Sequence, residues 1–174
     1  MTRSPTGWFD FGGNDPMIDV ARELAPRWLG GLVPKEDTEG FGGLCVLVRE
    51  VPTMKHHPTH NCVMASFSPH DQGKLYGAWG TGNHDECHPG APETQLLAEA
   101  DASPEAQAAA ALAWMASQLT RPIERRTWSR WGLKCDSWHL SDTGFQLSWM
   151  GHRRLTGMRR RPPDTITRVR PGTA

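Results

Sequence analysis

Two groups of metal-ligand residues flank one stretch of the chain. His56, His57, His60 and Cys62 stand before it or at its start, and His84, Cys87 and His88 follow it. His57-x₂-His60 and His84-x₂-Cys87 have knuckle-like spacing, and zinc accepts mixed imidazole and thiolate ligands. If residues 62–67 and 74–79 form a hairpin in which Phe67 pairs with Lys74, outward pairing sets His57 near His84 and His60 near Thr81. Both pairs then meet at the open end of the hairpin. His57, His60, His84 and Cys87 are the candidate ligands, and zinc is the candidate cofactor. Four ligands make a closed structural site. Three would leave an open position, with Glu86 close by in sequence, and would permit metal-dependent hydrolysis. Against this stands a polar loop without metal, to which Pro58 and Pro89 also belong, and that is the preferred reading.

The second chemical signal is arginine. Arg125, Arg126, Arg130 and Lys134 interleave with Trp128 and Trp131. Residues 152–174 carry seven arginines, among them Arg153, Arg154, Arg159, Arg160 and Arg161, against Asp164 alone. Arginine beside aromatics suits phosphate contact and base stacking. The candidate nucleic-acid-binding residues are therefore Arg125, Arg126, Arg130, Arg153, Arg154, Arg159, Arg160 and Arg161. A solubilising tail, or one that neutralises an acidic half, explains the same charges. No helix-turn-helix, zinc-finger or RNA-binding signature points to sequence-specific reading.

Other motifs carry less. Asp136, His139, Ser141 and Asp142 have acid–base side chains. Ser141 and Asp142 read as turn residues, whose short polar side chains bond their own backbone, and His139 reads as a sheet-surface residue. Asp142-Thr143-Gly144 matches a protease tripeptide, but a hairpin turn explains it. Gly40-x-Gly42-Gly43 precedes a strand, whereas a dinucleotide fingerprint follows one. There is no nucleophile elbow and no phosphate-binding P-loop. No catalytic residue is assigned.

These residues must be positioned by elements the sequence marks unevenly. The clearest is a helix over 103–120. Ser103 is a good N-cap, Pro104 fits the first turn, and Ala108, Ala111, Leu112, Met115 and Leu119 fall on one face. That face is expected to meet a sheet, with Trp114 on the helix flank. Pro122 closes the helix. Asn14 or Asp15, followed by Pro16, opens a shorter N-terminal helix, expected to end near Leu24 because of Pro26. Strands are expected at 44–51, 62–67, 74–79, 123–128, 134–140 and 145–149, with a long connection over 80–102. The order of helix, three strands, helix, three strands makes an α+β fold. Its sheet is mainly antiparallel and is packed by one long helix plus a short N-terminal one. The expected organisation is an irregular arm over 1–15, a single domain over 16–151, and a disordered basic tail over 152–174.

Leu119-Thr120-Arg121-Pro122-Ile123, running on to Trp128, and then Leu140-Ser141-Asp142-Thr143-Gly144, resemble segments of small uncharacterised proteins of high-GC actinobacteria. In those, a helix ending in Leu-x-Arg-Pro-Ile/Val leads to a strand, and a later strand closes on Asp-Thr-Gly. The resemblance covers about a quarter of the chain. It implies a shared fold fragment and a bacterial or phage origin, and it transfers no site residue.

Composition sets the outer bounds. The 174 residues have formal net charge zero, unevenly placed. Residues 1–102 hold seven basic and fourteen acidic side chains, residues 103–174 twelve and five, for −7 and +7. The four cysteines show no paired spacing, and the N-terminal residues carry no apolar run of the secretory kind. Cytoplasmic localisation with reduced thiols, and no membrane partner, are expected. The combined expectation is a non-enzymatic binding protein of bacterial or mobile-element origin that engages a protein or a nucleic acid. The alternative is a zinc-stabilised domain, with a metal-dependent hydrolase as its extension.

Overall fold

The structure, a computed structural model, describes residues 7–10, 15–40, 42–52, 61–80, 87–151, 157 and 160–171. It is an α+β protein, with two α-helices and two antiparallel sheets among the described residues. The chain forms two compact units: residues 1–48 with 62–119, and residues 49–61 with 120–174. Two sheets thus stand where the sequence suggests one. Among the described residues, no helix is long and apolar enough to cross a membrane.

The first unit contains α1 (Pro16–Leu29), β1 (Thr38–Glu39), β2 (Gly43–Leu47), β3 (Cys62–Phe67), β4 (Leu75–Gly80), β5 (Thr94–Ala98) and α2 (Pro104–Leu119). Its sheet has the order β1-β2-β3-β4-β5. Asp15 caps α1 by accepting from the Met17 amide at 2.9 Å. The helix does not stop at Leu24 but runs through Pro26. Ala25 and Leu29 are fully buried, so packing of the last turn offsets the hydrogen bond that proline removes. In α2 the Ser103 hydroxyl accepts from the Ala106 amide, as an N-cap should.

The helix–sheet contact in this unit differs from the expected one. Trp114 is not on the flank: its ring lies directly over Gly77 of β4. One helical turn on, the Gln118 side chain accepts from the Trp79 indole N–H at 2.9 Å. The i, i+4 pair of the helix thus meets an i, i+2 pair of the strand, the two periods that bring same-face neighbours together. Ala108, Ala111, Leu112 and Met115 are fully buried, and α2 packs against α1 as well as against β3, β4 and β5. The edge strand β5 falls inside the stretch read as a connection. Its residues are half-buried or exposed, so it has no hydrophobic alternation to betray it.

The second unit holds a sheet of order β8-β7-β6-β9, made of β6 (Ile123–Arg130), β7 (Leu133–Leu140), β8 (Gln146–Gly151) and β9 (Thr165–Arg170). Strand β9 corrects part of the disordered-tail expectation. Thr165-Ile166-Thr167-Arg168-Val169-Arg170 holds four β-branched residues and two arginines, and pairs antiparallel with β6. Arg170 reinforces the edge through an ion pair with Glu50 at 2.8 Å. At the β7–β8 turn, Asp142 accepts from its neighbouring amide on Thr143 at 2.9 Å, and Gly144 takes φ +74°. Arg121 grips Asp142 through two nitrogens at 2.8 and 2.9 Å. That guanidinium holds the Asp142 carboxyl below its ordinary value.

Candidate functional site

The metal set is the first to be placed. Strands β3 and β4 pair as expected in direction, but Phe67 faces Leu75 and Cys62 faces Gly80. The register is one residue away from the expected Phe67–Lys74 pairing. His57, His60 and His84 lie outside the described residues. Cys87 is fully buried, in a cluster with Cys45, Cys62, Met64, Tyr76 and Ala78. The sequence already hints at this cluster. Cys45, Cys62, Met64, Tyr76 and Ala78 alternate along β2, β3 and β4, and the pairing puts them on one face of the sheet. Among the described residues, no group of three or more His, Cys, Asp or Glu side chains could hold a metal ion. The Tyr76 phenol donates to Asp71, and that hydrogen bond, with burial, pushes its pKa up to about 12.

His139 is the second correction. It is buried, not on the sheet surface: β7 is an interior strand, and Ser137, Trp138, His139 and Leu140 are all buried. Its Nε2 lies 2.8 Å from the Ser137 hydroxyl, and its Nδ1 lies 3.0 Å from the Gly144 carbonyl oxygen. An accepting carbonyl places a proton on Nδ1, the tautomer a general base would need. Yet Ser137 is fully buried, and its hydroxyl also lies 3.2 Å from the Ser148 carbonyl oxygen. No substrate reaches a hydroxyl so placed. The pair ties β7 to β8 beside the bulge at Trp138/His139.

The arginine set is where the structure brings separate stretches together. Arg125 and Arg126 sit on opposite faces of β6, both half-buried. Arg126 pairs with Glu124 at 2.6 Å, whereas the Arg125 Nε is buried with no hydrogen-bond partner among the described residues. Arg130 is exposed at the end of β6. Arg160 and Arg161 are exposed, and Arg153, Arg154 and Arg159 lie outside the described residues.

Residues 161–164 are fastened along β6 by a set of bonds the sequence does not announce. The Trp128 indole donates to the Arg161 carbonyl oxygen at 3.0 Å. The Arg161 guanidinium donates to the Ser129 carbonyl oxygen at 3.2 Å. The Ser129 amide donates to Asp164 at 2.6 Å, and the Asp164 amide to the Thr127 carbonyl oxygen at 2.8 Å. The basic stretch before β9 is thereby brought beside the Arg130 end of β6. Trp128, a stacking candidate by sequence, is only 4% exposed and is spent on this joint.

The β6–β7 turn completes the site. Trp131 and Gly132 form its two-residue tip, with φ of +52° and +72°. The Arg130 guanidinium lies 4.0 Å from the centroid of the Trp131 ring. In comparisons with protein-family models, with curated proteins and with solved structures, nothing matches this chain.

Proposed function

We propose that this chain is a non-enzymatic nucleic-acid-binding protein that uses the second unit to contact phosphates. One observation carries the reading: the bonds between residues 161–164 and β6 bring the basic stretch containing Arg160 and Arg161 beside Arg130. Arg130 and Arg160 make no ion pair among the described residues. Exposed guanidinium groups without an acidic partner suit a repeating phosphate backbone better than a single acidic side chain. Contacts of this kind position a strand without reading its sequence. Fluorescence anisotropy with labelled DNA and RNA at two salt concentrations tests the reading. Binding that weakens steeply with salt and varies little with sequence is expected, and no binding at low salt refutes it.

A second reading is a zinc-stabilised fold. Its support is that Cys62, which opens β3, and Cys87, which follows β4, share one buried cluster. In that reading His57, His60, His84 and Cys87 are the ligands, and zinc has a structural role.

A further inference from the structure

Trp131 is the most exposed large apolar side chain among the described residues, at 80%. Burial therefore does not explain it. Turn chemistry does not explain it either. A two-residue turn with both residues at positive φ favours Asn-Gly, and the tip here is Trp131-Gly132. A bulky side chain adopts such a backbone only at a cost, and residues held that way gather at functional sites. The fold would be served better by asparagine, so the indole is there for something other than the fold.

The neighbouring side chain indicates what that is. The Arg130 guanidinium lies over one face of the indole, which orients the ring and places a positive charge beside it. The other face of a ring this exposed is open to a planar partner. We propose that Trp131 stacks an unpaired nucleobase while Arg130 takes an adjacent phosphate, so that the bound form is single-stranded nucleic acid. This rests on the phosphate-binding reading above and adds the strandedness of the ligand. In a duplex the bases already stack on one another and offer no free face to an indole. In a single strand each base has one, whether the sugar is ribose or deoxyribose.

The test compares a single-stranded oligonucleotide, as DNA and as RNA, with a duplex of the same sequence, using the full chain at one low salt concentration. The wild-type protein is expected to prefer the single strands. Trp131→Asn should lower single-strand affinity about five- to 150-fold, the range for losing one stacked base, and leave duplex affinity unchanged. The same substitution should raise the thermal midpoint, because Asn-Gly suits the turn, so a loss of binding cannot be a loss of folding. Trp131→Phe, which keeps a ring, should retain most of the preference. No single-strand preference in the wild type, or equal effects of Trp131→Asn on both forms, would overturn the stacking proposal and leave phosphate binding standing. Failure of the wild type to bind any of the three would end both.

Discussion

Gly77→Ala tests the helix–sheet contact of the first unit with a change of sign. The φ of Gly77 is outside the left-handed region, so its backbone accepts alanine. In an open strand position that substitution would stabilise by about 0.5–1 kcal/mol, because alanine loses less backbone freedom on folding. Here the new Cβ would sit 2.7, 2.7 and 2.8 Å from the Cδ2, Cε3 and Cε2 atoms of Trp114. Carbon atoms in contact prefer about 3.5–4.0 Å, so the indole must withdraw by roughly 0.8 Å. It has little room: Trp114 is 7% exposed, and the Gln118–Trp79 bond holds the next turn of α2. Overpacking of this kind costs about 1–3 kcal/mol. At this chain length that corresponds to a fall in midpoint of about 2–4 °C per kcal/mol. Urea unfolding followed by circular dichroism gives the free energy. Trp114→Leu in the same background should recover part of the loss, as a coupling energy between touching residues. Unchanged or increased stability in Gly77→Ala would mean that Trp114 does not lie on β4.

Two further measurements address other elements. Tyr76 is the sole tyrosine, so phenolate absorbance reports it alone. Its midpoint should lie near 12 in the folded protein and return toward 10.0 in Asp71→Asn. Because the folded value is the higher one, the Tyr76–Asp71 contribution to stability is present below pH 10.0 and is lost as pH rises through about 12. A midpoint near 10.0 in the wild type would remove the hydrogen bond. For the zinc reading, elemental analysis of protein purified without chelator should find about one zinc per chain, lost in the His84→Ala/Cys87→Ala double variant. Finding none, even after zinc addition and desalting, ends that reading.

Legibility in the sequence followed the locality of the forces. Ser103, Pro104 and Pro122 act on their own neighbours, so the bounds of α2 are readable without the fold. The β7–β8 hairpin is marked by Ser141 to Gly144 in the same way. Pro26 misleads because its local penalty is outweighed by burial of Ala25 and Leu29, which depends on distant partners. Strands β5 and β9 are edges with one neighbour each, so they lack the apolar alternation of interior strands. The arginines were visible as a composition, but their convergence was not. It depends on Trp128 donating to a carbonyl 33 residues away, and no spacing rule encodes such a bond. Trp131-Gly132 could have been flagged from sequence. A tryptophan before glycine between two strand patterns fits neither a buried position nor a preferred turn. For the Ser137–His139 pair, the i, i+2 spacing gives the shared face, and only the fold gives the burial that rules out chemistry.

The most direct test of phosphate binding is the slope of log affinity against log salt for a labelled single strand. The wild type is compared with the Arg130→Gln/Arg160→Gln variant. Both arginines are exposed, and neither is among the side chains that fasten residues 161–164 to β6. Each phosphate contact on a single strand contributes about −0.7 to the slope, so the double variant should be shallower by about 1.4 and weaker at low salt. A slope unchanged by the double substitution, or affinity indifferent to salt in the wild type, would contradict the account.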